Sequence, residues 1–136
     1  KEIFAYVDKI SSLEINADDN AFLTLKMKNK MVIHISFDLI SRSTNCKIEV
    51  NGSKGTMIWD RVSHKLEIFN SNKKKWKILK FSKKDFLEMY SSQAKHFYNC
   101  LLKKEKPLID IRDAVKTQTI IDKSFLSSKK KKLLSL

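Results

Sequence analysis

The residues that could carry chemistry in this chain stand apart from one another. None of the three histidines, His34, His64 and His96, has a neighbour at the spacing of a metal site. The two cysteines, Cys46 and Cys100, match no paired metal or redox motif, and we interpret them as buried thiols in a reducing cytoplasm, with a disulfide as the alternative. The sequence therefore predicts no metal centre and no catalytic residue.

Nucleotide binding is also not predicted for this chain. Its only glycines are Gly52 and Gly55, so neither a dinucleotide fingerprint nor a phosphate-binding loop can be written anywhere in it. The nucleophile elbow, Gly-x-Ser-x-Gly, is missing for the same reason. We expect any nucleotide cofactor to be held by residues outside this chain.

Two histidines are better explained by structure than by catalysis. His96 falls on the side of a predicted helix that carries Met89 and Cys100, which favours a packed, hydrogen-bonded histidine over a proton shuttle. His34 and Asp38 share one face of a predicted strand, about 13 Å apart along it, too far for direct pairing. We interpret them as the polar face of a sheet, either solvated or against a partner.

The formal net charge of +13 comes almost entirely from lysine, since arginine occurs only at Arg42, Arg61 and Arg112. Recognition of bases and phosphates favours the two-pronged guanidinium, and the lysines lie at predicted turns and near the end of the chain, which favours solvated surface. The alternative is a basic sheet module that binds nucleic acid or acidic surfaces. Binding to DNA or RNA that collapses with salt would distinguish the two.

The hydrophobic pattern predicts strands first and helices last. Alternation of apolar and polar residues predicts seven antiparallel strands in the first two-thirds, with a two-residue turn at Asn29–Lys30. From Ser82, an N-cap paired with Asp85, helical spacing takes over. The predicted elements are strands 2–9, 22–28, 31–40, 46–50, 56–60, 64–70 and 75–81, a helix over 85–103, a second helix from Asp110, and a short strand at 133–136. This order predicts an α+β fold: an open, mostly antiparallel β-sheet with helices packed on one face.

Length and composition are those of one globular domain. The 136 residues are 42% hydrophobic and 32% charged, and no apolar run reaches the length of a membrane span. There is no signal-peptide pattern, and the chain opens without Met on a strand, so we expect a piece of a longer cytoplasmic protein. Residues 1–136 are predicted to form a single domain.

Five motifs, in order, resemble the C-terminal domain of the glucose–fructose oxidoreductase / inositol dehydrogenase / MocA family. They cover essentially the whole chain: the long strand Val32–Asp38, the strand–Gly-x-x-Gly-Thr–strand segment Ile48–Asp60, the Met-Tyr…His-Phe helix from Met89 to Phe97, the link and cap Pro107–Val115, and the closing Ser127–Lys129. Glu105-Lys106-Pro107 spells the catalytic tripeptide of sugar dehydrogenases, but between two helices we interpret it as a plain link.

The resemblance implies a function for the whole protein and a part for this chain. The family joins an N-terminal Rossmann domain, which holds NAD or NADP and the catalytic lysine, to a sheet domain like this one. The implied reaction is hydride transfer at a sugar or sugar derivative, and the chain alone should be inactive. Aligned positions imply substrate contacts from Arg42, Thr44 and Tyr90, with Arg42 suited to a carboxylate or phosphate and the other two to hydroxyls.

The resemblance also implies an assembly. The open face of the sheet would pack against another subunit to give a homo-oligomer, with a small-molecule sugar as the other partner and neither nucleic acid nor membrane. Some inositol dehydrogenases carry tyrosines at the positions of Arg42 and Thr44, so the substrate need not be inositol.

Overall fold

Eight strands and two helices follow one another along the chain, in the order that the sequence predicts. The computed structural model describes residues 1–136 apart from the side chains of Lys83 and Phe86. The elements are β1 Glu2–Asp8, β2 Asn20–Lys26, β3 Val32–Asp38, β4 Lys47–Gly52, β5 Gly55–Asp60, β6 Lys65–Asn70, β7 Lys75–Lys80, α1 Lys83–Leu101, α2 Ile111–Lys130 and β8 Leu134–Ser135.

The strands form two four-stranded antiparallel sheets rather than one. One sheet has the order β3-β2-β1-β8 and the other β4-β5-β6-β7, because β3 and β4 do not pair across the irregular segment between them. The chain divides accordingly into unit 1, residues Lys1–Ser41 and Leu108–Leu136, and unit 2, residues Arg42–Pro107. The α+β class and the antiparallel pairing are confirmed.

In unit 1 the alternation of β1 and β2 places apolar side chains beneath α2. Ile3, Ala5 and Leu25 are buried, and the register pairs Ile3 with Leu25 directly. Their neighbours along the strands, such as Phe4 and Thr24, point to the opposite face, which no helix of unit 1 covers. Unit 1 therefore has one closed face and one open face.

Two serines of α2 complete the edge of β1. The strand β8 pairs only with Glu2 and Ile3. Beyond it, the Ser127 hydroxyl accepts a hydrogen bond from the Ala5 amide (3.0 Å) and donates to the Lys132 carbonyl (2.7 Å). The Ser128 hydroxyl accepts from the Val7 amide and donates to its carbonyl, both at 2.9 Å. These hydroxyls satisfy backbone groups that would otherwise be left without partners.

The β2–β3 turn differs from the prediction of a two-residue turn at Asn29–Lys30. The Met27 amide donates to the Met31 carbonyl (2.8 Å) and the Lys30 amide to the Met27 carbonyl (3.0 Å), which makes a three-residue turn over 28–30. Only Lys30 adopts a left-handed conformation, with φ of 66°. A two-residue turn of type I′ needs two such residues, and without glycine the longer turn is less strained.

The connection between β1 and β2 is fixed by a buried carboxylate. Asp19 accepts hydrogen bonds from the Ile10 amide (2.8 Å), the Ser11 amide (3.1 Å) and the Ser11 hydroxyl. These donors hold the pKa of Asp19 below its usual range, and the Ser11 hydroxyl contributes most. Strand β2 begins at Asn20, two residues before the predicted start at Phe22. The two starts differ because Asp19 and Asn20, although polar, are buried in the fold.

In unit 2 the sheet turns back on itself at three hairpins. Gly55 has a φ of 152°, and a Cβ atom there would lie 1.9 Å from the Phe69 carbonyl oxygen, so this position requires glycine. Helix α1 follows β7 through the predicted capping box: the Asp85 amide donates to the Ser82 hydroxyl (3.4 Å) and the Ser82 amide to the Asp85 carboxylate (2.6 Å). The predicted N-cap is confirmed.

Candidate functional site

The open face of unit 1 is aromatic as well as polar. It includes the predicted polar residues His34, Ser36 and Asp38. The register sets beside them side chains that the prediction did not place on this face: Phe4, Tyr6 and Phe22, each about half exposed. A shallow open depression of about 280 Å³ lies among these aromatic rings, Thr24 and His34.

Hydrogen bonds within this face hold its polar groups in place. The Thr24 hydroxyl lies 3.1 Å from the His34 Nδ1 atom on the neighbouring strand. The Tyr6 hydroxyl donates to the Asp8 carboxylate (3.1 Å), which raises the pKa of Tyr6 because the bonded proton is harder to remove. The result is a surface with an apolar centre and internally paired polar groups, a composition suited to contact with another protein surface.

Asp38, at the edge of the open face, closes the end of β3. Its carboxylate accepts hydrogen bonds from the Ile40 amide (3.1 Å), the Ser41 amide (2.6 Å) and the Ser41 hydroxyl (2.9 Å). The bond from the Ser41 hydroxyl is the main reason that the pKa of Asp38 is lowered. Asp38 is therefore a turn residue, and it directly precedes the segment that contains Arg42.

The three predicted substrate residues all belong to unit 2. Arg42 and Thr44 lie exposed in the irregular segment before β4, and Tyr90 lies on α1 with 62% of its surface exposed. No hydrogen bond or ion pair joins them to one another in the part of the chain that the structure describes. Their side chains are accessible to a ligand.

A small apolar depression of about 180 Å³ lies beside the start of α1. It is lined by Trp59, Phe81, Asp85 and Met89, and Met89 directly precedes Tyr90. The Asp85 carboxylate is engaged in the helix cap, so the groups left to contact a ligand are aromatic and apolar. Such a surface suits the flat face of a ring rather than a charged group.

The apolar residues of α1 form an exposed stripe. Leu87, Tyr90, Ala94, Phe97 and Leu101 are spaced alternately by three and four residues, which brings them onto one side of the helix. We call this set the α1 stripe. All five residues are exposed in this chain.

His96 is a hydrogen-bonded structural residue, as predicted. Its Nε2 atom lies 3.6 Å from the Cys100 sulfur one turn along α1, and its Nδ1 atom lies 3.2 Å from the Glu105 carboxylate. Burial, and secondarily Glu105, raises the pKa of the Cys100 thiol, so the thiolate form is disfavoured. Glu105 thus holds the segment that follows α1 against His96 of the helix. The described residues contain no group of three or more potential metal ligands.

The residues of this chain do not fit a dinucleotide. Gly52 and Gly55 both lie at the hairpin between β4 and β5, whereas pyrophosphate binding needs glycines where a strand passes into a helix, with the helix N-terminus facing the phosphates.

The sequence of the chain matches a known family over almost its full length. Residues 5–136 fit the family described as the oxidoreductase family, C-terminal alpha/beta domain. The chain belongs to this family. No curated protein matches it in sequence.

Solved structures share its fold at low identity. An oxidoreductase from Agrobacterium radiobacter, in complex with NAD+, L-tartaric acid and magnesium, is 15% identical with a TM-score of 0.79, over 98% of this chain and 42% of that one. The WlbA dehydrogenase from Bordetella pertussis, in complex with NADH and UDP-GlcNAcA, is 18% identical with a TM-score of 0.71, over 100% and 40%. A super-repressor mutant of Gal80p from Saccharomyces cerevisiae is 14% identical with a TM-score of 0.72, over 98% and 43%.

These comparisons establish the fold of the domain and the extent of the match. The chain spans about two-fifths of the length of each of these three structures. None of the described helices is long and apolar enough to cross a membrane.

Proposed function

We propose that this chain is the substrate-side and assembly domain of an NAD- or NADP-dependent oxidoreductase that acts on a sugar or sugar derivative. The proposal is supported by the family, by two structural relatives solved in complex with NAD+ and L-tartaric acid or with NADH and UDP-GlcNAcA, and by the share of those relatives that the chain spans. The cofactor-binding half would lie in the rest of the polypeptide, since this chain has no residues that fit a dinucleotide.

The α1 stripe is the observation that carries the proposal. Five residues spaced for helix packing, among them Tyr90, Phe97 and Leu101, are exposed in this chain. An apolar stripe of this kind normally packs against another element. We infer that the nucleotide-binding half covers it, which would bring Tyr90 to the cleft between the two halves.

The substrate contacts follow from the chemistry of the exposed residues. The guanidinium of Arg42 can bind a carboxylate or phosphate through two parallel hydrogen bonds. The hydroxyls of Thr44 and Tyr90 can bond to sugar hydroxyls, and the aromatic depression beside Tyr90 offers a flat surface for a sugar ring. Hydride transfer itself would need the nicotinamide and the catalytic groups of the other half.

Steady-state kinetics of the full-length protein test the substrate roles. We expect Arg42→Gln and Tyr90→Phe each to raise KM for an anionic sugar about tenfold, the effect of one lost polar contact. The matched control is Tyr98→Phe, two turns further along α1 and similarly exposed at 59%, which should leave KM unchanged. An unchanged KM in both test variants would remove these residues from the site.

The second part of the proposal is a homo-oligomer formed through the open face of unit 1. The half-exposed rings of Phe4, Tyr6 and Phe22 are the apolar centre that a subunit interface requires, and the cross-strand pair of Glu2 with Lys26 (3.2 Å) gives a polar rim. Pairing of two such faces would remove these rings from water.

Light scattering on a charge-insertion pair tests the assembly. Phe22→Glu buries a carboxylate in the proposed interface and should give a monomer. Phe37→Glu makes the same change on the neighbouring strand, on the opposite face, where the side chain is also exposed, and should keep the parent mass. A Phe22→Glu variant that still assembles would contradict the open face as the interface.

A further inference from the structure

Four lysines meet at one end of the unit 2 sheet. The hairpins β4–β5 and β6–β7 both turn at this end, and the Ser71 amide of one turn donates to the Lys54 carbonyl of the other (3.1 Å). Lys54 belongs to the first turn, and Lys73, Lys74 and Lys75 belong to the second or start the strand after it. We call these four residues the lysine tip.

The turns of the lysine tip and the adjoining ends of their strands contain no carboxylate. The stretches 50–57 and 68–78, which form this end of the sheet, contain no Asp or Glu. Glu49 and Glu67 lie in the fourth cross-strand row from the turns, and the Glu49 carboxylate accepts a hydrogen bond from the Asn51 amide group (2.7 Å). Among the described residues, no lysine of the tip takes part in an ion pair, whereas Lys26, Lys47 and Lys116 all do. The positive charge is therefore concentrated and available.

An aromatic pair with one exposed member, Trp76, lies directly beside the lysine tip. Phe69 and Trp76 are cross-strand neighbours one residue from the end of the sheet, with ring centroids 5.2 Å apart and planes at 45°. Trp76 is 50% exposed. Thr56 and Asn51 lie opposite this pair on the next two strands, in the same cross-strand row, and a 2.6 Å hydrogen bond joins them. An aromatic face and polar groups thus adjoin the two turns that carry the lysine tip.

We propose that the lysine tip and Trp76 bind single-stranded nucleic acid without sequence preference. Ammonium groups contact phosphates as point charges, and an exposed indole stacks on any base, which together are the two elements of non-specific single-strand binding. The tip has no arginine, so it lacks the two-pronged donor that reads guanine. The site is separate from the proposed oxidoreductase function and needs neither cofactor nor sugar.

An anionic membrane is the other polyanion that the lysine tip could bind, but the residues of the turns make membrane binding unfavourable. Their other residues, Ser53, Ser71 and Asn72, are polar, so the apex has no apolar side chain to enter a bilayer. Trp76 lies on the face of the sheet rather than at its apex, two cross-strand rows from Glu49 and Glu67. This position of Trp76 suits stacking on the bases of a flexible single-stranded nucleic acid better than insertion into lipid.

Fluorescence anisotropy with a labelled twenty-nucleotide oligothymidylate tests the proposal on the 136-residue chain. Four phosphate contacts at about 0.7 each predict a salt slope of about −2.8, hence roughly 50-fold weaker binding when salt rises from about 50 to about 200 mM. Vesicles of phosphatidylserine and phosphatidylcholine form the second arm. Binding to the vesicles without binding to the oligonucleotide would overturn the proposal.

Paired variants locate the site. Lys73→Gln with Lys75→Gln should reduce the magnitude of the salt slope by about 1.4. Lys129→Gln with Lys130→Gln removes the same charge at the end of α2 and should leave the slope nearly unchanged. Trp76→Ala should weaken binding about tenfold and Trp76→Phe far less, since phenylalanine still stacks.

Circular dichroism on each variant separates loss of binding from loss of fold. Equal weakening by the two lysine pairs would show that net charge alone binds the oligonucleotide. Undiminished binding by Trp76→Ala would remove the stacking platform. Either result overturns the assignment of this site.

Discussion

The two units differ in what they bury. All seven residues that are buried in the described chain lie in unit 1: Ile3, Ala5, Asp19, Asn20, Leu25, Ser124 and Ser127. Among the described residues of unit 2, none is buried, although each of its strands contains apolar residues. Unit 1 closes one face of its sheet with α2, whereas the apolar residues of unit 2 stay partly in water.

This difference shows which part of the domain is self-sufficient. A sheet gains its stability by burying at least one face, and a helix by burying its apolar side. Unit 1 meets that condition within this chain. Unit 2 does not, and we propose that the nucleotide-binding half covers its α1 stripe.

The largest expected effect is on the core of unit 1. Ile3 is 0% exposed, and Ile3→Ala should lower the free energy of unfolding by about 2–5 kcal/mol through lost burial and a cavity. The matched change in unit 2, Ile48→Ala at a residue 55% exposed, should cost less than about 1 kcal/mol. Urea denaturation measures both. Equal losses would erase the contrast between the units.

The next largest effect on stability is expected at Ser127, the serine that completes the edge of β1. Ser127→Ala leaves the Ala5 amide without its acceptor, and an unsatisfied buried donor costs about 1–3 kcal/mol. Ser124→Ala is the control, because the equally buried Ser124 hydroxyl bonds only to the Ile120 carbonyl of its own helix and should cost under about 1 kcal/mol. If the two variants unfold at the same urea concentration, the edge role of Ser127 is wrong.

A smaller, pH-dependent effect is expected at Asp19. Folding lowers the pKa of this carboxyl, so its ionised form stabilises unit 1 above the ordinary pKa of about 4, and that contribution is lost as the pH falls through the lower folded pKa. Asp19→Asn should therefore reduce Tm at pH 7 and reduce it less at about pH 3. Its exposed neighbour provides the control, Asp18→Asn, which should change Tm little at either pH. A Tm loss that is the same at both pH values would show that charge is not the cause.

The smallest effect is expected on the α1 stripe of the isolated chain. Phe97→Ser replaces a side chain that is mostly in water, so the free energy of unfolding should change by less than about 0.5 kcal/mol. In the full-length protein the same change should destabilise by more than about 1 kcal/mol if the stripe is covered there. Thermal unfolding of both forms measures the difference, and a Tm loss of the same size in both would mean that nothing covers the stripe.

The element order was predictable because it follows from local patterns. Alternation located the strands, and the Ser82 and Asp85 capping box located α1, to within a few residues. The division into two sheets was not predictable, since it depends on whether β3 and β4 pair, which no local pattern encodes. The turn at 28–30 was also missed, because the choice between two and three residues depends on which positions tolerate positive φ.

The candidate site was predictable only in part. The polar residues of the open face were identified from alternation, but Phe4, Tyr6 and Phe22 were not assigned to it, although the even-numbered spacing of Phe4 and Tyr6 carried the signal. Arg42, Thr44 and Tyr90 came from resemblance alone and remain predictions. The burial of Asp19 and the edge role of Ser127 could not be predicted from the sequence. Ser127 bonds to a strand that is distant along the chain, and Asp19 bonds to a loop that folds back on it.

Hydrogen–deuterium exchange on α1 tests most directly whether unit 2 is completed from outside the chain. In the isolated chain, we predict that amides of β1 and β2 exchange slowest and that those of α1 exchange much faster. In the full-length protein, the α1 amides from Leu87 to Leu101 should slow by more than about tenfold, because covering the stripe stabilises the helix against local opening. Exchange of α1 that is equally fast in both forms would contradict the proposed docking of the nucleotide-binding half.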